Sequence, residues 1–296
     1  MGVDRSSNPP RLRPLPRWGE GSQDEMKKSI SRRIVSLACS NTEILFALGL
    51  GAQVVGVDDW SDFPPQVGAL PRVGPDLKIN MTKVAALEPD LVLASLSVPG
   101  MERNIPALER LGVPFLVLDP KSLDDVFGDI ERIGEVTGVP ETACRLNADL
   151  QSRIEVVQAR AHQAAHRPTL YWEWWPTPLI CPGRQSWIVQ MSELVGADLL
   201  FKDVEATSFV VHESQVLDRD PDHVILCWCG TLQKKMDVTK VAERPRWDRL
   251  RAVQAGRVYC LPESLYGRPG PRLIEGLERL ARVVHPEVFA EAFVVS

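Results

Sequence analysis

The sequence predicts an α/β protein of two lobes. Each lobe is a doubly wound parallel sheet, and one long rigid helix joins the two. Three observations lead to this prediction. Short apolar runs alternate with helix patterns from residue 34 to residue 138, and the same alternation begins again at residue 170. Between the two stretches, residues 141–165 form a helix pattern without Gly or Pro. Such alternation is typical of a parallel sheet covered by helices.

In the first lobe, each predicted strand is a short apolar run, and most predicted helices end at a glycine or before a proline. Residues 40–43, which follow the first run, are polar and can cap the helix after them. The predicted strands are residues 34–38, 54–57, 91–94 and 115–118, and the predicted helices are residues 44–48, 82–87, 101–111 and 123–136.

The second lobe repeats this order. A helix pattern followed by a Pro-Asp step and an apolar strand occurs at Pro89-Asp90 and again at Pro221-Asp222. This recurrence predicts two lobes of similar design. The predicted strands are residues 170–173, 224–227 and 258–261, and the predicted helices are residues 186–195, 214–218, 247–253 and 272–284.

The pattern between the lobes predicts a linking helix. Apolar residues step by three and four along residues 141–165, as on one face of a helix. A helix of that length is about 37 Å long, which is more than a crossover within one sheet needs. We therefore divide the chain into a flexible N-terminal arm, an N-terminal lobe, the linking helix and a C-terminal lobe, at residues 1–31, 32–139, 140–166 and 167–296.

The composition excludes several classes of protein. The chain has 296 residues, of which 44% are hydrophobic and 25% are charged, and its formal net charge is −5. These values are ordinary for a globular protein and give no attraction to nucleic acid or to an anionic membrane surface. No apolar run approaches the roughly 18 residues that span a bilayer, so we expect no membrane insertion.

The N-terminal residues bear on the compartment. Residues 1–25 contain no apolar segment of the kind that a secretory signal peptide has. Six cysteines would make a thin disulfide framework for so long a chain. We therefore expect a cytoplasmic protein with reduced thiols. A periplasmic or lipid-anchored protein is the alternative if translation starts elsewhere.

The sequence lacks the motifs of hydrolases, nucleotide-binding proteins and zinc peptidases. Cys227 and Cys229 have no second cysteine pair of the kind that a structural zinc site requires. His162 and His166 are four residues apart at the end of the linking helix, where we expect a solvated surface pair. We expect no catalytic residue, no metal site and no cofactor.

The residues after the predicted strands are the candidate ligand-binding residues, because ligands of open α/β sheets bind beyond the carboxyl ends of the strands. Tryptophan is concentrated there: the chain has eight Trp and three Tyr, and three of the Trp fall within residues 172–175. Flat aromatic faces suit a large ring-bearing ligand. The candidates are Cys39, Ser40, Asn41, Trp60, Ser95, Trp174, Trp175, Trp228, Cys229, Tyr266 and Arg268.

Several segments resemble the cobalamin- and iron-siderophore-type solute-binding proteins of ABC importers, and the likeness is greatest to the cobalamin-binding member. The resemblance covers residues 33–286. It is carried by residues 33–37 with Asn41-Thr42-Glu43, by residues 55–64 (VGVDDWSDFP), by residues 89–94 (PDLVLA) and by residues 183–186 (GRQS). It implies two lobes joined by one rigid helix, with the ligand between them and little closure on binding.

The resemblance also implies roles for particular residues. Trp60 stands at an aromatic position that contacts cobalamin, and the candidates from Trp174 to Arg268 fall in loops of the same cleft. Family members dock onto the permease with one surface glutamate on each lobe, but Thr82 and Ser214 stand at those positions here. Asp76 and Ser95 stand where the family's ligand site has tryptophan. The altered docking positions argue against a permease partner and favour a cytoplasmic relative.

The leading hypothesis is a monomeric, non-catalytic protein that binds cobalamin or a related corrinoid. Two alternatives stay open. A ferric siderophore or haem would need convergent cations, for which Arg184 and Arg268 are the candidates. A corrinoid-processing enzyme would use the thiols of Cys39, Cys227 or Cys229, one of which would then need a pKa well below about 8.5. Cys39 is also a soft donor that could approach a metal in the ligand.

Overall fold

The computed structural model describes residues 33–289, so the arm expected at residues 1–31 lies outside the described residues. The first lobe is a parallel four-stranded sheet with helices, as the alternating pattern predicts. Its strands are β1 (Ile34–Ser36), β2 (Val54–Val57), β3 (Leu91–Ser95) and β4 (Phe115–Leu118), in the order β2-β1-β3-β4. Its helices are α1 (Cys39–Ala47), α2 (Met81–Ala86), α3 (Ile105–Leu111) and α4 (Leu123–Thr137). The central strands β1 and β3 are buried along their whole length, as expected where helices cover both faces of a sheet.

Helix α1 begins five residues earlier than predicted, because the polar residues after β1 do not cap it. The N-cap residue is Ala38, which makes no side-chain hydrogen bond. Instead, the Thr42 hydroxyl donates to the Ser36 hydroxyl at 2.8 Å, and the Asn41 amide donates to the Ala94 backbone oxygen at 3.1 Å. These side chains join α1 to the sheet and are buried within the lobe.

The linking helix α5 (Pro140–Ala161) has 22 residues and is about 33 Å long. It ends four residues before the predicted end. After it, the backbone N–H of Gln163 donates to the backbone oxygen of Arg160, and the backbone N–H of Ala164 donates to that of Ala161. These two hydrogen bonds tighten the chain into a turn.

The second lobe also contains a parallel four-stranded sheet, so the α/β fold class with parallel sheets is confirmed. The strands of this lobe are β5 (Thr169–Glu173), β6 (Trp175–Pro176), β7 (Leu179–Pro182), β8 (Asp198–Leu199), β9 (Ser208–Val210), β10 (His223–Leu226) and β11 (Val258–Cys260). The parallel sheet has the order β11-β10-β5-β8, and β6-β7-β9 form a small antiparallel sheet that the sequence analysis missed. The helices are α6 (Trp187–Leu194), α7 (Glu213–Arg219), α8 (Thr239–Ala242), α9 (Arg251–Gln254), α10 (Leu273–Val284) and α11 (Pro286–Phe289).

One apolar core runs through both lobes by way of α5. Ile133 of α4, Leu150 of α5, Ile188 of α6 and Leu277 of α10 are buried members of the same cluster. Polar contacts cross the boundary as well: the Gln190 side chain accepts a hydrogen bond from the backbone N–H of Leu123 at 2.6 Å. The two sheets therefore belong to one compact unit. The residue limits of the lobes stay a prediction.

The close packing of α10 predicts a large effect of one methyl group. A Cβ on Gly276 would collide with the backbone oxygen of Leu265, whereas a Cβ on Gly128 of α4 would meet nothing within 4 Å. We expect Gly276→Ala to lower the free energy of unfolding by about 2 kcal/mol, because an overpacked core must shift. Gly128→Ala is the matched control and should be neutral or stabilising by up to about 1 kcal/mol. Urea unfolding of both variants tests this, and equal stabilities would contradict it.

Candidate functional site

The carboxyl ends of the two sheets meet at a cluster of charged side chains, which we call the junction cluster: Glu43, Asp62, Glu263, Arg268 and Arg272. Arg268, from the loop after β11, donates to Asp62, from the loop after β2, with 2.5 Å between Nη1 and Oδ1. The same guanidinium lies 3.3 Å from Glu263 and 3.5 Å from Glu43. Arg272 lies 3.4 Å from Glu43 and stacks over the Phe63 ring at 4.0 Å. The cluster therefore joins the lobes through charges from both.

Glu43 is the buried member of the junction cluster. Its side chain is 2% exposed, and of its two oxygens Oε2 is buried without a hydrogen-bond partner among the described residues. Burial raises the pKa of Glu43 to about 7, although Arg272 and Arg268 lower it. The two arginines reach only Oε1, so they offset the effect of burial only in part.

In the first lobe, a buried carboxylate holds the residue expected to contact the ligand. Asp58, which directly follows β2, accepts a hydrogen bond from the backbone N–H of Trp60 at 2.9 Å and from the Ser61 hydroxyl at 2.5 Å. The Arg72 guanidinium donates to the Asp58 backbone oxygen at 2.8 Å. These contacts hold the turn in place while the Trp60 side chain stays 57% exposed.

The second lobe uses a buried carboxylate in a similar way. Glu173, at the end of β5, accepts two hydrogen bonds from Arg244 at 2.5 and 2.8 Å and one from the Trp228 indole N–H at 3.0 Å. The paired carboxylate thus orients Trp228. Trp175 is 41% exposed, and its indole N–H donates to the backbone oxygen of Thr177 at 3.1 Å.

The structure brings six of the eleven predicted residues to the accessible edge of the two sheets. Trp60, Trp175 and Cys229 are exposed, and Cys39, Trp174 and Trp228 are half-buried. Arg268 lies at the junction with 12% of its side chain exposed. The side chains of Trp174 and Trp187 pack together with 6.3 Å between ring centroids, so Trp174 belongs partly to the core.

The other four predicted residues are buried, contrary to the expectation that they line the cleft. Ser40 and Asn41 are 4% and 1% exposed in the first turn of α1, and Ser95 is 4% exposed with its hydroxyl donating to Ser97 at 2.9 Å. Tyr266 is fully buried: its hydroxyl donates to the Gly276 backbone oxygen at 2.8 Å, and its ring lies 5.1 Å from that of Trp172. Their polar groups are used within the fold.

Sequence reasoning missed three apolar residues at the same edge of the sheets. Leu77, Val98 and Leu232 are 45%, 38% and 58% exposed. Leu77 lies against Gly100 in the turn after β3, and Leu232 lies in the loop after β10. Together with Trp60 and Trp175, these exposed apolar side chains near the strand ends are what we call the cleft apolar surface. Each of the three has no hydrophobic neighbour on either side in its loop. An isolated apolar residue in a loop after a strand was the sequence signal that could have identified them as candidates.

The thiols near this surface are not activated. Burial raises the pKa of Cys39, and the Asp58 carboxylate raises it further; the Cys39 thiol donates to that carboxylate at 3.8 Å. Burial also raises the pKa of Cys227 well above its ordinary value. A nucleophilic thiol needs the opposite shift. Among residues 33–289, no group of three His, Cys, Asp or Glu side chains is placed to hold a metal ion.

The two positions that the resemblance relates to permease docking are exposed. Thr82 lies in the first turn of α2 and Ser214 in the first turn of α7. Two hollows lie elsewhere: one of about 340 Å³ beside the junction cluster, between α1 and residues 271–272, and one of about 440 Å³ between α4, α5 and α6. No tryptophan lines either hollow.

Two sheet-based lobes, a helix between them and an aromatic surface at the strand ends define a solute-binding protein. The chain belongs to the periplasmic binding protein family, whose pattern matches residues 34–265. It is 32% identical over 277 residues to an uncharacterized ABC transporter substrate-binding lipoprotein, YvrC, of Bacillus subtilis, which covers 91% of this chain and 85% of that protein. It is 30% identical over 256 residues to the vitamin B12-binding protein of Pectobacterium atrosepticum, covering 85% and 88%.

Solved structures agree with this assignment. The periplasmic vitamin B12-binding protein BtuF of Vibrio cholerae superposes with a TM-score of 0.72 at 27% identity, over 86% of this chain and 97% of that one. The periplasmic heme-binding protein RhuT from Roseiflexus superposes with a TM-score of 0.75 at 25% identity, over 87% and 99%. The chain is therefore a solute-binding protein of the ABC-importer type, and the relatives named here are binding proteins rather than enzymes.

The expectation of a cytoplasmic location is wrong. The relatives are named as a lipoprotein and as periplasmic binding proteins, which points to a location outside the cytoplasm. The expectation depended on residues 1–25, which lie outside the described residues. The argument against a permease partner is withdrawn with it, because proteins of this type work with one. In the described part of the chain, no helix is both long and apolar enough to cross a membrane.

The pKa of Glu43 predicts a pH-dependent stability. Between its ordinary pKa of 4.5 and its raised value of about 7, the folded protein holds a proton that the unfolded chain has released. The contribution of Glu43 to the free energy of unfolding is therefore greatest below pH 4.5 and falls as the pH rises towards 7. Glu43→Gln removes this titration, so the stability of the variant relative to wild type should rise by up to about 1.4 kcal/mol per pH unit in this window.

Urea unfolding at several pH values measures this difference. Glu109→Gln, which makes the same substitution at an exposed position of α3, is the matched control. A flat difference for Glu43→Gln would show that its carboxyl group titrates normally.

Proposed function

We propose that this protein binds cobalamin or a related corrinoid between its two lobes and delivers it to an ABC permease. The observation that carries the proposal is the exposure of large aromatic side chains, Trp60 and Trp175, at the carboxyl ends of strands in both lobes. Leu77, Val98 and Leu232 extend the same surface. A wide, flat apolar ligand suits such a surface, because its burial would remove these side chains from water.

The charges support a ligand with a neutral periphery. The Arg268 guanidinium is engaged by Asp62, Glu263 and Glu43 at 2.5 to 3.5 Å, so its charge is already balanced within the protein. The second cation expected for an anionic ligand, Arg184, pairs with Glu205 at 3.0 Å. The edge of a corrin ring carries neutral amides, whose N–H groups find acceptors in carboxylates. The relatives named for vitamin B12 support the same ligand.

Haem is the second candidate, because a protein of similar structure is named for heme binding. Haem carries two propionates, which need cations or N–H donors. The pairing of Arg184 and Arg268 with carboxylates favours the corrinoid over haem. An enzymatic role for the thiols has no support in their raised pKa values.

The ligand-binding residues that we propose are those that remain accessible: Trp60, Leu77, Val98, Trp174, Trp175, Trp228, Cys229, Leu232 and Arg268, with Cys39 at the floor. Ser40, Asn41, Ser95 and Tyr266 are omitted because they are buried in the fold. Thr82 and Ser214 stay our candidates for the positions that face the permease, and a contact there would not use glutamate.

Removal of one aromatic face should weaken binding measurably. We expect Trp60→Ala and Trp175→Ala each to raise the dissociation constant for cyanocobalamin by about tenfold or more, because each removes a large contact area from one side of the ligand. Isothermal titration calorimetry measures this constant.

Val156→Ala, at an exposed apolar position of α5 away from the strand ends, is the control and should bind like wild type. A wild-type protein that shows no heat of binding and no thermal shift with cyanocobalamin, but binds haem, would overturn the corrinoid proposal. Ligand at 100 times its dissociation constant should stabilise the protein by about 2.7 kcal/mol, so a true ligand is readily detected.

A further inference from the structure

Asp76 places a carboxylate beside the exposed Leu77, where apolar contact with a flat ring gives a carboxylate no role. The residue is half-buried in the loop after the bridge between Val57 and Arg72. Its Oδ1 accepts a hydrogen bond from the backbone N–H of Leu77 at 2.8 Å, and its backbone oxygen accepts one from the Asn104 amide at 2.6 Å. The loop is therefore anchored, and the carboxylate is held in place beside an exposed apolar residue.

Asp76 lies next to Trp60. The loops that carry the two residues are tied together by hydrogen bonds from the backbone N–H of Asp59 to the Gly74 oxygen at 2.9 Å and from the Gly74 N–H to the Asp59 carboxylate at 3.2 Å. Burial raises the pKa of Asp76, while the N–H groups of Leu77 and of the Trp60 indole oppose that shift. The Asp76 carboxylate therefore already acts as a hydrogen-bond acceptor, and an ionised carboxylate has lone pairs for further donors.

The charge of Asp76 also acts on a carboxyl group of the second lobe. Burial raises the pKa of Glu263 and Arg268 lowers it, but Asp62 and Asp76 raise it further. The negative charge of Asp76, in the first lobe, therefore acts on Glu263, in the second. Because the positive charge of Arg268 is balanced by Asp62, Glu263 and Glu43, the negative charge of Asp76 stays uncompensated by that arginine.

We propose that Asp76 is a specificity-determining residue: it accepts a hydrogen bond from an amide N–H at the edge of a ring ligand and rejects a ligand that carries a carboxylate there. This inference rests on the proposed function and adds the chemical class that the edge of the ligand must have. A carboxylate placed against Asp76 would meet a like charge in a partly desolvated site, which strongly disfavours binding. An amide at the same place would find its acceptor.

The test compares two pairs of ligands that differ only in peripheral charge. The first pair is cyanocobalamin and its monocarboxylic acids, in which one propionamide is hydrolysed. The second pair is haem dimethyl ester and haem. Dissociation constants are measured near pH 7.5 for the full chain, for Asp76→Asn and for Asp149→Asn. Asp149 is exposed on α5, so its variant makes the same change in charge away from the cleft.

We expect wild type to bind cyanocobalamin at least about tenfold more tightly than one of its monocarboxylic acids. In Asp76→Asn this preference should fall to less than about threefold, because the like charge is gone. Asp149→Asn should keep the wild-type preference. Asp76→Glu keeps the charge and should also retain the preference, which separates the role of charge from any loss of folding.

An unchanged preference in Asp76→Asn would overturn this inference and leave the corrinoid proposal standing. If wild type binds only the porphyrins, the corrinoid proposal fails, but the rejection of carboxylates by Asp76 still predicts a preference for the ester that disappears in Asp76→Asn. A protein that binds none of the four ligands would overturn both.

Discussion

The arrangement of the two lobes depends on the ion pairs around Arg268. With only 12% of its side chain exposed, this guanidinium has lost most of its hydration, and an unpaired charge in such a place costs several kcal/mol. Its partners come from both lobes: Asp62 and Glu43 from the first, Glu263 from the second. Asp62 and Glu43 reach Arg268 only while the carboxyl ends of the two sheets lie together, and apart from them only Glu263 would pair with it. The core that runs through α5 supports the same arrangement from the other side.

Each lobe then uses a buried carboxylate to position a tryptophan. Asp58 accepts a hydrogen bond from the backbone N–H of Trp60, and Glu173 accepts one from the indole N–H of Trp228. In both cases the carboxylate stands at or just after the end of a parallel strand, so the polar interactions are within the lobe and the apolar faces are left for a ligand. Exposed apolar side chains favour aggregation unless they bind something, and here they lie where the two lobes can share a ligand.

Local pattern was enough to predict the α/β class with parallel sheets, though not the small antiparallel sheet, because strand and helix periodicity are properties of neighbouring residues. The candidate site was predictable only in part. Nothing local distinguishes Tyr266, buried against Gly276, from Trp60, which stays exposed: both follow a strand, and only tertiary contacts separate them. Asn41 was expected at the cleft but is used to join α1 to β3. Asp62 and Glu43, the partners of Arg268 from the first lobe, are 206 and 225 residues away in the chain, beyond any local signal. The compartment was misjudged because the expectation depended on residues 1–25 and not on the fold, which the relatives outside the cytoplasm share.

The central claim is that one ligand contacts the strand ends of both lobes at once. Hydrogen–deuterium exchange with and without cyanocobalamin tests it most directly, because bound ligand slows exchange of the backbone amides that it covers or orders. The account predicts protection around residues 59–61, 76–77 and 97–100 of the first lobe together with residues 174–175 and 228–232 of the second. Protection limited to one lobe, or found instead between α4, α5 and α6, would contradict it.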